Sequence, residues 1–190
     1  MNHFLALRLA DAPRDRLADL ARRLQAWNLP ANWVHPEDYH LTLVFLGPCD
    51  ADEVRTLPYA IGDLAHGLQQ PRLRLAGLGA WGGRTEPKVV FAAVEDLAGT
   101  CAAIHRDLSD MLSVKVEPRY APQIALCRPR PGIPSELATR PSRRDWPQLL
   151  EAHGLADWGD CATTDLVLYR STERTPRYAE VARWPLLAAA

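Results

Sequence analysis

Hydrophobic positions recur along the chain in two distinct rhythms. Leu17, Leu20, Ala21 and Leu24 fall at helical spacing after Asp11-Ala12-Pro13, where proline suits a first helical turn. This predicts a helix from about residue 11 that ends at Asn28-Leu29-Pro30. Val54, Leu57, Ile61, Leu64 and Leu68 predict a second helix over 51–68, with Pro58 as a kink or late start. Leu97, Cys101, Ile104, Leu108 and Leu112 predict a third after Asp96. Between them lie short β-rich runs at 4–9, 40–46, 73–78, 88–94, 120–127, 165–169 and 178–184.

Two of those runs, 73–78 and 88–94, are joined through Trp81-Gly82-Gly83, which predicts a hairpin and hence antiparallel pairing. Strands that pair locally and alternate with amphipathic helices predict an α+β fold with sheets covered by helices. The stretch from 128 to 160 has a different texture. Arg128-Pro129-Arg130-Pro131-Gly132-Ile133-Pro134 and Arg140-Pro141-Ser142-Arg143-Arg144 exclude regular structure and predict a long basic loop, with a short helix around Trp146–His153. At 190 residues, the chain suits one domain of two small lobes, residues 1–190.

Composition narrows the chemistry. With 22 basic and 23 acidic side chains the net charge is −1, so no global positive field points to nucleic acid and phosphate recognition has to be local. The four cysteines, Cys49, Cys101, Cys127 and Cys161, form no CxxC pair, which predicts reduced thiols and no zinc site; no cofactor is expected. The apolar opening, Asn2 to Leu9, falls short of the ~20 residues that span a bilayer and lacks a basic leader; a cytoplasmic monomer without membrane contact is expected.

The most informative run is His40-Leu41-Thr42-Leu43-Val44-Phe45-Leu46-Gly47. On a strand, alternate side chains share a face, so His40 and Thr42 project together while Leu41, Leu43 and Phe45 enter the core. An imidazole titrating near neutrality beside a hydroxyl donor offers acid–base chemistry and a phosphoryl-oxygen ligand. A histidine at the start of a buried strand also serves purely structural ends, so the company it keeps decides. That company is Phe4-Leu5-Ala6-Leu7, Asp38-Tyr39 before His40, Trp81, Val89-Val90-Phe91, Leu168-Tyr169-Arg170-Ser171, Arg177-Tyr178 and Arg183-Trp184-Pro185. Over nearly its whole length the chain resembles the 2H phosphoesterases of the bacterial RNA 2′,3′-cyclic phosphodiesterase (2′–5′ RNA ligase) type. The resemblance implies a bilobal α+β fold, with two antiparallel sheets facing a central cleft and helices packed outside. It also implies a metal-independent reaction at the 2′,3′-cyclic phosphate end of RNA or a cyclic nucleotide, with His40 as the acid at the leaving oxygen.

The second motif departs from the family pattern of Pro-His-x-Thr-Leu-x-Arg. Here the run is Pro122-Gln123-Ile124-Ala125-Leu126-Cys127-Arg128, with Ile124 and Leu126 toward the core and Gln123, Ala125 and Cys127 toward the site. A glutamine amide can hydrogen-bond a phosphate but cannot exchange a proton near pH 7, and loss of one acid–base group costs ~10²–10⁴ in rate. His35, His66, His105 and His153 are the side chains that could replace the missing imidazole. Arg128 is expected to bind phosphate or a surface carboxylate; Tyr120 and Trp81 either stack on a base or pack. Three readings stay open: an impaired cyclic phosphodiesterase, a non-catalytic module for nucleotides or RNA ends, and a vestigial site in an interaction protein.

Overall fold

The computed structural model describes residues 1–130 and 145–188. The chain opens with strand β1 (Asn2–Leu9), helix α1 (Asp11–Gln25) and strand β2 (Ala31–Trp33). A single 3-10 turn over Pro36–Asp38 leads into β3 (His40–Pro48). Helix α2 (Ala51–Ala65) is followed by β4 (Leu73–Trp81), β5 (Val89–Asp96), α3 (Thr100–Met111) and β6 (Gln123–Pro129). After the undescribed segment come α4 (Trp146–His153), β7 (Asp157–Asp160), β8 (Thr163–Ser171) and β9 (Tyr178–Pro185).

The helices start where local chemistry tells them to. Asp50 accepts the backbone N–H groups of Asp52 and Glu53, and the Glu53 carboxylate accepts that of Asp50, a reciprocal cap at the head of α2. Asp145 accepts from the Gln148 N–H and starts α4, the short helix expected inside the basic stretch. Pro58 sits within α2. Of the loop arginines, Arg130 follows β6, whereas Arg140, Arg143 and Arg144 lie outside the described residues.

The strands form two antiparallel sheets, one in the order β3-β1-β8-β9 and the other β2-β6-β5-β4-β7. The hairpin expected from the 73–94 sequence is the β4–β5 pair. Strands β2 and β7, too short and too polar for a periodicity argument, cap the edges of the second sheet. Each sheet sends one row of side chains into a shared apolar core: Leu5, Leu7, Leu41, Leu43, Leu166 and Leu168 from the first, and Leu75, Val90, Ala92, Ile124 and Leu126 from the second. Leu17, Leu20 and Leu24 of α1 and Ile104 and Leu108 of α3 join them, as their spacing predicted.

The sheets meet where β3 passes β6, and α3 touches both β3 and β5 at that junction. Polar bonds lock it. The His105 imidazole donates from Nδ1 to the Leu43 carbonyl at 2.8 Å and accepts the Glu117 N–H at Nε2, 3.1 Å away. Both ring nitrogens are thus used, and the ring is neutral with its hydrogen on Nδ1.

Candidate active site

β3 and β6 each begin with a polar residue, as each emerges from a proline-containing turn and its first side chain reaches the open face of a sheet. On the first sheet that face carries His40 and Thr42 from β3, Arg8 and Ala6 opposite them on β1, and Val167 and Tyr169 from β8. On the second it carries Gln123 opposite Ala93, and Ala125 opposite Phe91.

Two bulges alter the alternation. On β3, Leu5 faces Val44 while Ala6 faces Thr42, so an extra residue is accommodated at Leu43. Leu43 and Val44 are consequently both buried, and Phe45 turns to the open face, where it is 70% exposed and 6.0 Å from the Phe4 ring. The expectation that Phe45 enters the core is therefore wrong by one bulge. On β6, Phe91 faces Ala125 but Val90 faces Cys127, so Leu126 and Cys127 are both buried. Cys127 belongs to the core and not to the site. Burial pushes its thiol, and those of Cys101 and Cys161, up to about 12, which leaves them unreactive near neutrality.

His40 sits in an aromatic cage. Its ring lies 4.8 Å from Phe4, 5.0 Å from Tyr178 and 5.9 Å from Tyr169, the Tyr178 ring meeting it edge-on at 90°. Nδ1 lies 2.7 Å from the Asp38 carbonyl oxygen, an acceptor, so it carries the hydrogen and Nε2 carries the lone pair. Removal from water lowers the imidazole to about 4, against the opposing pull of the Asp38 carbonyl and the Asp38 charge. Neutral, singly oriented imidazole is the resting form. Beyond Tyr169, Arg8 donates to the tyrosine oxygen at 3.4 Å and pairs with Glu180, in a groove of about 720 Å³ that Tyr169 and Tyr178 also line.

The remaining sequence candidates divide. Thr42 and Gln123 are half-buried on the open faces. Trp81 is 56% exposed at the end of β4, opposite Val89 and 6.0 Å from Phe91. Phe91 can lie over the sheet there because Gly79, opposite it, has no side chain to occupy the ring's place. Arg128 is exposed opposite Asn32.

Tyr120 is a correction. Its hydroxyl donates to the Thr42 carbonyl at 2.9 Å and its ring stacks on His105 at 4.2 Å, so it ties the two sheets together behind the site instead of offering a platform. The possible replacement histidines are also engaged elsewhere. His35 accepts the Glu37 N–H, His66 bonds the Gly62 carbonyl, His105 holds the sheet junction and His153 packs on Trp27. Among the described residues no cluster of His, Cys, Asp and Glu suits a metal ion.

Sequence reasoning did not single out Phe45, Tyr169, Tyr178 or Asp38 as parts of one site. The first is hidden by a bulge, and the others are brought in by strands more than a hundred residues away or, for Asp38, by side-chain bonds to them. The alternation of Phe4, Ala6 and Arg8 along β1 is the signal that marked this face.

The family model for LigT-like phosphoesterases matches residues 7–91. The RNA 2′,3′-cyclic phosphodiesterase of Geobacillus stearothermophilus is 30% identical over 195 aligned positions, covering 99% of this chain and 58% of that protein. The chain therefore spans a little under three-fifths of that relative's length. The crystal structure of TT0787 of Thermus thermophilus superposes with a TM-score of 0.74 at 21% identity, covering 100% of both chains. E. coli LigT, solved in complexes with ATP and with 3′-AMP, superposes with a TM-score of 0.67 at 21% identity in each case, over 98% and 97% of both chains. A β-sheet pair joined at β3 and β6, an imidazole and a threonine on the open face of β3, and these likenesses lead to one conclusion: residues 7–91 match the LigT-like phosphoesterases, and the chain shares the fold of E. coli LigT.

Proposed function

We propose that this protein opens 2′,3′-cyclic phosphate ends of RNA or nucleotides, at a rate limited by the glutamine at position 123. The observation that carries the reading is His40. Its Nδ1 is committed to a backbone carbonyl, which leaves Nε2 as a basic nitrogen on the same face as the Thr42 side chain. As a neutral base it suits activation of water; the acid role that the family resemblance implied requires prior protonation, which an anionic phosphate beside the ring favours. Thr42 is the hydroxyl donor for a phosphoryl oxygen, Arg128 the candidate guanidinium, and Trp81 the base platform on the far sheet. Phe45, exposed beside Phe4, offers a second apolar ring on the His40 side.

In an in-line displacement, water loses its proton on one side of phosphorus while the ribose oxygen leaves on the other. One imidazole cannot serve both sides at once. Gln123 can donate an amide hydrogen to the leaving oxygen but no proton, so that oxygen is protonated by solvent, and a rate deficit of ~10²–10⁴ is expected. Ala125 removes one further donor.

Those same two residues favour a second reading, a module that binds the phosphorylated end without turning it over. Turnover of 2′,3′-cyclic AMP decides between them. The enzyme reading expects slow hydrolysis by the wild type, none by His40→Ala, and a gain of about 10² or more in Gln123→His. Binding without turnover by the wild type selects the module, and turnover that survives in His40→Ala rejects the site.

A further inference from the structure

Asp38 is a carboxylate only 4% exposed, two residues ahead of His40, and its side chain has no part in the chemistry assigned to that imidazole. Its oxygens accept the backbone N–H of Arg177, at 2.9 Å each, and the N–H of Tyr178 at 3.2 Å. Those donors lie at the end of the turn between β8 and β9, some 139 residues further along the chain. No ion pair to a side-chain cation is found for Asp38 among the described residues, so oriented backbone dipoles hold this buried charge. The same residue's carbonyl takes the hydrogen of His40 Nδ1.

We propose that Asp38 is a positioning residue for His40, acting on the imidazole from two sides at once. On one side, the three bonds to its carboxylate fix the orientation of the Asp38 backbone. Its carbonyl is thereby aimed at Nδ1, which selects the Nδ1–H form and leaves Nε2 unprotonated. On the other side, the carboxylate clamps the turn that delivers Tyr178. That ring stands edge-on to His40 and to Phe4, both at 5.0 Å, and closes the cage. A simple anchor for the β8–β9 turn would need the carboxylate alone. The arrangement seen joins that anchor to the imidazole through one residue's backbone.

The groups facing His40 are few. Phe4 comes from β1, Tyr169 from β8 and Tyr178 from β9, while Asp38 is the charge beside the ring, and Arg8, opposite His40 on β1, is paired with Glu180. The Asp38 charge itself pulls the imidazole upward, so its loss alone would lower the midpoint; a rise on altering Asp38 is therefore attributable to the opened cage. The proposal takes its functional meaning from the reading of His40 as the reacting base, yet its test does not depend on activity.

Long-range proton–nitrogen NMR of the histidine side chains reports tautomer and titration together. The wild type is expected to show His40 as a single Nδ1–H tautomer. In Asp38→Ala the expected result is a tautomer mixture and a titration midpoint moved up toward the ordinary imidazole value, with circular dichroism showing a folded chain. Asp38→Asn keeps one acceptor oxygen and should fall between the two, and it carries the test should the alanine variant not fold. Tyr178→Ala leaves the carboxylate bonds in place, so it should raise the midpoint while keeping the tautomer. A folded Asp38→Ala or Asp38→Asn protein whose His40 tautomer and midpoint match the wild type overturns the proposal. If instead His40→Ala leaves binding and turnover of 2′,3′-cyclic AMP unchanged, the functional reading fails while the positioning effect remains measurable.

Discussion

His40 is neutral at rest because its ring is withheld from water, and that fixes the sign of two pH effects. An imidazole whose value falls from 6.5 to about 4 on folding binds a proton more readily in the unfolded chain. Its contribution to stability is complete above about pH 6.5 and is lost as pH falls toward 4, so thermal unfolding followed from pH 7 to pH 4 should show a decline that is blunted in His40→Ala. Binding works the other way. A bound cyclic phosphate carries a charge that does not titrate in this range, and it favours the imidazolium. Binding of 2′,3′-cyclic AMP should therefore tighten from pH 7 to pH 5 with proton uptake, measured by calorimetry in buffers of different ionisation enthalpy; affinity independent of pH would place the anion elsewhere. At this scale the sequence was readable for His40, Thr42 and Gln123, because each opens or follows the opening of a strand, ahead of any bulge. It was misleading for Phe45 and Cys127, which follow one.

Bulges and glycines shape the elements. Parity along a strand is a sound guide until a single inserted residue reverses it, and neither the Leu43 bulge nor that near Leu126 carries a glycine or proline to announce it. The helices were more legible, since their apolar stripes are redundant and their caps are local, as at Asp50 and Glu53. Gly79 is a place where the element and the site meet. A methyl group there would lie 2.3 Å from the nearest Phe91 ring carbon, so the ring would have to move and take Trp81 with it. Gly79→Ala is expected to cost about 1–3 kcal/mol in denaturant unfolding and to weaken nucleotide binding more than phosphate binding. The strand pair β4–β5 was foreseen from its hairpin, whereas β2 and β7 were not, because three or four residues do not establish a period.

For the molecule as a whole, the critical feature is the junction that sets one sheet against the other. It depends on His105 and Tyr120, both bonded to backbone carbonyls of β3 from the other side of the fold. Nothing in the sequence marked them for this: His105 reads as one more helical residue, and Tyr120 as an aromatic near the second motif. Long-range polar pairing has no period, so it becomes visible only with the fold. His105→Leu would strand the Leu43 carbonyl in the interior and take away the acceptor of the Glu117 N–H, at a cost of about 2 kcal/mol, read as a lowered Tm. Because the junction also sets the spacing between β3 and β6, the variant should lose affinity for cyclic nucleotide beyond what partial unfolding explains.

The central claim is that His40 and Gln123 attend the same anion from two sheets. Titrating the labelled protein with 2′,3′-cyclic AMP while following the His40 ring and the Gln123 side-chain amide tests it directly. Both signals should move together along a single binding curve, and the Gln123 response should disappear in His40→Ala. A Gln123 amide that stays still while His40 responds, or the reverse, would contradict the account.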